Sequence, residues 1–258
     1  MSNRPSLTVV IVAKNEERNI ADCIASVSFA DEILVLDSGS KDLTVQLAKN
    51  AGARVVETDW PGYGPQVARG FSLSTSEWVL SLDADERISP QLRDEILVAI
   101  ASARHDGWRL PRISEFCGQF IQHSGWCPDY TLRLGRRVKS GFTDHFLHAH
   151  MTVDGSIGHL RQKIIHYSYP NMHDVLEKLD RYSTGHARDM QTSGKKGNVY
   201  KAVLHGVFSF LRTYVVRLGF LDGQHGLMLA IYNAEYTYYK YIKLMFLEKP
   251  AARPVIRK

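Results

Sequence analysis

The stretch Trp78-Val79-Leu80-Ser81-Leu82-Asp83-Ala84-Asp85-Glu86 decides the class of fold. Its apolar run is continuous, not alternating, which marks a strand buried on both faces, as in a parallel sheet. It then runs directly into three acidic residues. Three similar runs lie upstream, at 7–12, 33–36 and 53–57. Helix-like stretches at 16–27, 41–50, 65–75 and 90–103 separate or follow them. Strands alternating with helices predict an α/β domain with a mainly parallel sheet flanked by helices. Ser40 and Asp42 are placed to cap the second helix, and Ser89-Pro90 reads as an N-cap followed by proline at the first helical position.

Past Gly107 the pattern loosens. Strands are expected at 108–113, 130–134 and 163–166, joined by Gly- and aromatic-rich loops of the kind that carry binding groups. From 171 the chain reads as helical, over 172–190, 199–218 and 223–247, with breaks at 194–197 and 219–223. The expected division is 1–170 for the α/β domain and 171–258 for a helical region. A length of 258 residues suits one or two domains. The hydrophobic fraction of 44% excludes a disordered chain, and a net charge of +5 is too weak to imply nucleic-acid binding. Cys23, Cys117 and Cys127 form no C-x-x-C, which disfavours a disulfide scaffold or zinc ribbon and points to a reducing compartment. No apolar run reaches the ~18 residues of a membrane span. The run from Leu7 ends in Lys14-Asn15-Glu16-Glu17 and reads as a strand, not a signal peptide.

The chemistry gathers where strands end. Ligands of open α/β sheets bind at the carboxyl ends of the strands. If the backbone stays extended, Asp83 and Asp85 point to one side and offer two hard oxygen donors suited to Mg²⁺ or Mn²⁺ with phosphate oxygens. The plainer reading is a polar turn before the helix at Pro90. Asp37, ending the second strand in Leu36-Asp37-Ser38-Gly39-Ser40, can accept hydrogen bonds from a ribose or base, or simply make a turn. Lys14-Asn15-Glu16-Glu17 ends the first strand, where acids also suit a helix N-terminus. The three clusters together, at edges of one sheet, argue for a shared site. No G-x-x-x-x-G-K-[ST] and no strand followed by G-x-G-x-x-G occurs, which disfavours P-loop and dinucleotide-binding enzymes.

The runs L-T-V-V-I-V-A-K-N-E-E, L-D-S-G-S-K-D-L-T and W-V-L-S-L-D-A-D-E-R resemble the inverting glycosyltransferases of family 2, which have the GT-A fold. Gly125–Leu134, His166–Tyr169, Arg181–Thr184 and Gly219–Gly223 are similar to the lipopolysaccharide core β-1,4-glucosyltransferases. The resemblance implies a UDP-glucose donor, a divalent metal and a heptose acceptor on a lipid-linked inner core. It implies that Ala13, Asn15, Glu16, Asp37, Arg69 and Asp83 surround the donor nucleotide. Asp85 would be the direct metal ligand and His166 a further one, although a lone histidine on a strand is also a common core residue. Other acceptors, a polyprenyl phosphate or a peptide, stay open, as does a homologue that binds nucleotide sugar without turnover.

One departure stands out. Relatives often carry V-H-E or I-H-E, with the Glu a candidate base, where this chain has Leu147-His148-Ala149-His150. Inversion needs a proton acceptor for the attacking hydroxyl. Asp129, Asp144, His148 and His150 are the substitutes at hand, the first three being the catalytic candidates; Asp129 could instead bind the acceptor sugar. His145, His148 and His150 have metal-like spacing but no cysteine nearby for a zinc site. The helices over 203–221 and 227–247 mix aromatic residues with Arg and Lys. They suit a membrane interface on an anionic leaflet or packing against the catalytic domain or a second subunit. The expectation is a peripheral enzyme on the cytoplasmic face of a bacterial inner membrane.

Overall fold

β1 (Leu7–Ala13) shows why the apolar runs are unbroken. Leu7, Val9, Ile11 and Ala13 join one core layer while Val10 joins the layer on the opposite face of the sheet. The same holds for β2 (Glu32–Asp37), where Val35 goes one way and Leu34 and Leu36 the other. This computed structural model describes residues 4–143 and 150–248.

Two units make up the described chain: residues up to Ile113 with Asp129–Tyr167, and Ser114–Pro128 with the residues from Ser168 onward. In the first, β3 (Arg54–Glu57), β2, β1 and β4 (Trp78–Asp83) run parallel in that order. This is the parallel sheet the sequence predicts. β8 (Asp129–Arg136) then adds antiparallel to β4, and β6 (Gly107–Phe116) antiparallel to β8, so the complete sheet is mixed. β5 (Glu86–Arg87) pairs with β12 (Ile164–Tyr169), and β11 (Ile157–His159) runs parallel to β6. β9 (Ser140–Phe142) and β10 (Met151–Val153) form a separate ribbon.

Helices cover both faces. Ile20 and Ile24 of α1 (Ile20–Ser26), Ala48 of α2 (Thr44–Asn50) and Leu92, Ile96 and Ile100 of α4 (Pro90–Ser102) bury one face. Val67 and Phe71 of α3 (Tyr63–Leu73) bury the other, with Leu132 and Met151. Ser89 caps α4 as expected, its hydroxyl accepting from the Leu92 amide at 3.2 Å.

The second unit is built on α5 (Met172–Thr192), α6 (Val199–Leu211) and α7 (Gly223–Glu248), with the short β7 (Gln119–Phe120) in the 114–128 segment. The helix expected over 199–218 is shorter: it ends at Leu211 in a π turn over Arg212–Val216, and Leu218 takes a left-handed φ of 56°. Gly206 lets α6 approach α7, since a Cβ there would lie 3.3 Å from the Ala234 carbonyl oxygen. The 219–223 break also does more than end a helix. Buried Asp222 accepts from the amides of Gln122 and His123 and the hydroxyl of Ser124, each at 3.0 Å. Among the described residues no helix is long and apolar enough to cross a membrane.

Gly70 sets the distance of α3 from the sheet. A Cβ there would meet Val10 Cγ1 at 2.3 Å and Leu36 Cδ1 at 3.1 Å, both on buried side chains. Gly70→Ala gains about 1 kcal/mol of helix propensity, but overpacking costs typically about 1–3 kcal/mol. The expected outcome is a net loss, read as a lower urea midpoint at unchanged m-value; a raised midpoint would show that α3 moves freely.

Candidate active site

The turn after β1 and the turn after β2 are stitched together. Asn15, at a left-handed φ of 55°, donates its amide to Ser40 Oγ at 2.8 Å and accepts from the Lys41 amide at 2.8 Å. Glu16 donates its amide to Thr44 Oγ1 at 2.7 Å, and Glu17 to Asp42 Oδ2 at 3.1 Å. The structure departs from the sequence reading at two points. The first helix begins at Ile20, not at 16, behind a turn in which the Asn19 and Ile20 amides donate to the Glu16 carbonyl, each at 2.9 Å. Ser40 does not cap the second helix, whose N-cap, Leu43, has no side-chain cap bond; Asp42, one residue earlier, accepts from the Thr44 amide at 3.0 Å as well as from the Glu17 amide. Asp37 is buried and accepts from the amides of Gly39 and Ser40, each at 2.9 Å, and from the Ser40 hydroxyl. Gly39 turns at φ 84°, a conformation glycine adopts freely.

Ala13 pairs in register with Asp37, and Val12 with Asp83. Asp37 and Asp83 therefore flank β1 at the same sheet edge, two strand spacings or about 10 Å apart. Arg69 lies on α3, paired with Asp59 at 2.8 Å and bonded to Thr58 and to Gln66, whose Nε2 donates to Ser38 Oγ at 3.1 Å. The structure thus ties Arg69 to the Asp37 turn through Gln66.

The backbone does not stay extended past Asp83. It turns at Ala84-Asp85, so the two aspartates take different partners. Asp83 accepts from the Tyr63 hydroxyl at 2.7 Å and pairs with Arg133 at 2.7 Å. Glu86, fully buried, accepts from the Asp83 amide at 3.0 Å and pairs with Arg133 at 3.0 Å and Arg112 at 3.2 Å. Arg112 in turn holds Asp129 at 2.7 Å. The result is an alternating chain of charges: Asp83, Arg133, Glu86, Arg112, Asp129. Glu86 belongs to this chain and not to the cap of α4.

Electrostatics follow from that order. Burial opposes the Asp83 charge, but Arg133 and the Tyr63 hydroxyl outweigh it and hold its carboxyl down at about 2. Burial pushes the Glu86 carboxyl up, against the pull of Arg133. Burial also works against the charge of Arg133, yet Asp83 and Glu86 keep it firmly protonated. Burial raises the Tyr63 phenol, which keeps it a donor to Asp83.

Asp85 pairs instead with His166, Oδ2 to Nε2 at 3.3 Å. A carboxylate oxygen beside an imidazole nitrogen is a pair that can ligate a divalent cation, the carboxylate being the donor that suits Mg²⁺ or Mn²⁺. Among the described residues no third carboxylate, His or Cys joins it, so such an ion would keep positions for ligand oxygens. His150 lies against Thr143, its amide donating to Thr143 Oγ1 at 3.1 Å. Asp144, His145, His148 and Ala149 lie outside the described residues. Tyr63, Arg112 and Arg133 are absent from the sequence reading. The available signal was an arginine within the apolar run Leu132-Arg133-Leu134, since a buried arginine requires buried carboxylates.

Arg133→Met removes the cation shared by Asp83 and Glu86 and is expected to cost about 3–5 kcal/mol at pH 7 by urea unfolding. The depressed Asp83 pKa adds stability above its unfolded value near pH 4, lost as pH falls through about 2. Glu86 has the opposite sign: its raised pKa favours the fold below about pH 4.3, and that contribution is lost as pH rises. Without Arg133 both carboxyls rise, and protonation relieves them. The deficit is therefore expected to shrink from pH 7 to pH 4; a deficit independent of pH would mean that Arg133 acts through packing alone.

The model of "Glycosyl transferase family 2" matches residues 8–155. An uncharacterized glycosyltransferase of Rickettsia typhi is 30% identical over 251 residues, covering 92% of this chain and 86% of the relative. The lipopolysaccharide core biosynthesis glycosyltransferase LpsC of Rhizobium meliloti is 29% identical, covering 96% and 95%. Among solved structures, glucosyl-3-phosphoglycerate synthase of Mycobacterium tuberculosis is 29% identical over 43% of this chain and 44% of its own, at a TM-score of 0.36. The matched residues run from β1 through β10 and include both stitched turns and the whole alternating chain of charges, and on that extent of likeness the protein belongs to glycosyl transferase family 2.

Proposed function

We propose that this glycosyltransferase transfers a hexose, glucose from UDP-glucose, with inversion and with a divalent metal, to a lipid-linked inner-core saccharide bearing a heptose. The observation that carries the reading is the Asp85–His166 pair, next to the strand end where Asp83 and Asp37 flank β1. The likeness to LpsC over nearly the whole chain supports the choice of acceptor class.

In this reading Ala13, Asn15, Glu16, Asp37 and Arg69 surround the uridine, and Asp83 meets the ribose. Asp85 and His166 would hold the metal, which would supply positive charge to the leaving diphosphate. The residues of the chain do the rest. The stitched turns hold the nucleotide in one pose, and the alternating charges fix β4 against β8. Asp129 is the proton acceptor for the attacking hydroxyl. Its Oδ2 carries both bonds to Arg112 while the side chain stays 42% exposed, which leaves Oδ1 for the acceptor.

The helical unit docks on the membrane that carries the acceptor. Along α6 and the π turn, Tyr200, Leu204, Phe208, Leu211 and Val216 are exposed, with Lys201, Arg212 and Arg217 exposed among them. Exposed apolar residues beside cations fit an anionic lipid surface. The reading places the protein on the cytoplasmic face of the inner membrane.

Asp85→Ala is expected to abolish glucose transfer to a truncated lipopolysaccharide acceptor, followed by mass spectrometry. It is also expected to remove the Mn²⁺-dependent gain in UDP affinity measured by calorimetry, with thermal stability kept. Wild-type turnover by the variant in excess EDTA would refute metal-assisted transfer. For the membrane, the double variant Leu204→Ser, Phe208→Ser is expected to lower flotation with vesicles of phosphatidylethanolamine and phosphatidylglycerol several-fold, at unchanged UDP affinity. Unchanged flotation would assign the α6 face to another partner.

A further inference from the structure

A cavity of about 350 Å³ lies among α3, β6, β8, β9 and β10, lined in part by Arg109, Arg112, Arg133, Tyr130 and Thr131. Its size is at the lower end for a small-molecule site. Arg133 is occupied by Asp83 and Glu86, and Arg112 by Glu86 and Asp129. The Arg109 side chain makes no ion pair or hydrogen bond among the described residues, although it shares the cavity with the two paired arginines. Its strand neighbours are Leu132 on β8 and His159 on β11, neither of them acidic.

Among the described residues, Asp83 in the lining and its neighbours Glu86 and Asp129 are already taken by Arg112 and Arg133, so the described lining carries one surplus cation. Phe142 and Met151 add apolar surface to the lining, as the flat face of a sugar ring requires.

We propose that this cavity binds the acceptor saccharide through an anionic substituent, a phosphate ester or a carboxylate, held by Arg109. The proposal rests on the glycosyl-transfer reading above and deepens it: the acceptor is an acidic sugar, and the enzyme selects it by charge. Arg109 is the group suited to this task, because a guanidinium binds two oxygens of a planar carboxylate or a phosphate with two parallel bonds. The cavity also touches Asp83 and, through Arg112, lies beside Asp129, so a sugar anchored there reaches the strand end where the donor is expected.

The test uses the full chain and three probes that share one ring: glucose, glucose 6-phosphate and glucuronate. Binding is measured by ligand-detected NMR in the presence of Mn²⁺-free UDP and without it. The wild type is expected to bind at least one of the acidic sugars roughly 10- to 100-fold more tightly than glucose, the worth of one charge-assisted hydrogen bond. Which of the two is preferred separates phosphate from carboxylate. Arg109→Gln is expected to erase the preference, and Arg109→Lys to keep part of it, with the thermal midpoint reporting that both variants fold. Equal binding of all three sugars by the wild type would overturn the proposal, as would a preference that survives in Arg109→Gln. A loss of UDP affinity in Arg109→Gln equal to its loss for the acidic sugar would also overturn it, by assigning the cation to the donor. UDP titration of the wild type tests the transfer reading separately: its failure sinks that reading, whereas the charge preference is decided by the sugar titrations.

Discussion

A buried arginine governs the first unit. Arg133 sits inside the sheet with almost no exposure, and a guanidinium in that position is tolerable only if carboxylates accompany it. Asp83 and Glu86 do so, and each then needs further support: Asp83 from the Tyr63 hydroxyl, Glu86 from Arg112 and from the Asp83 amide. One requirement thus recruits α3, β4, β5, β6 and β8. The same requirement bends the backbone after Asp83, because Glu86 must return to the β4 end to meet the guanidinium. That bend sends Asp85 towards β12 and His166.

The sheet edge beside Asp37 depends on a different device. The turns after β1 and β2 exchange side-chain to backbone hydrogen bonds, with Ser40, Asp42 and Thr44 answering the amides of Asn15, Glu17 and Glu16. Amides at a strand-to-helix turn would otherwise need water or the helix itself as partners. Here one turn serves as the partner of the other, so neither can move alone. A ligand seated across both meets a prearranged edge and need not order it on binding. Asp37 is fixed within the same device by its own turn amides.

The helical unit shows the opposite economy. α5 and α7 bury Val175, Leu179, Leu229 and Tyr232 together, and Asp222 secures the loop at 122–124. α6, by contrast, buries Ala202 and Gly206 and leaves Leu204, Val207 and Phe208 more than half exposed. Small residues on one side allow close approach to α7, and large apolar ones on the other stay exposed among the described residues.

Local pattern alone determined the alternation of strands and helices, the parallel order of the first strands and the gathering of acids at one sheet edge. Each of these follows from short-range rules: unbroken apolar runs mark strands buried on both faces, and polar residues collect where such strands end. The sequence also placed Asn15, Asp37, Asp83 and Asp85 at strand ends, where the structure has them. Which groups those residues touch was decided by the tertiary structure. Asp83 meets Arg133 50 positions away and Asp85 meets His166 81 positions away, and no local rule carries pairings of that separation. The capping role expected of Ser40 failed for the same reason: a hydroxyl close to its own helix found a better acceptor and donor in Asp37 and Asn15, which only the packed sheet brings alongside it. Arg133 reads in sequence as one polar residue in an apolar strand, and becomes the centre of the site only because folding closes three charged strands around it.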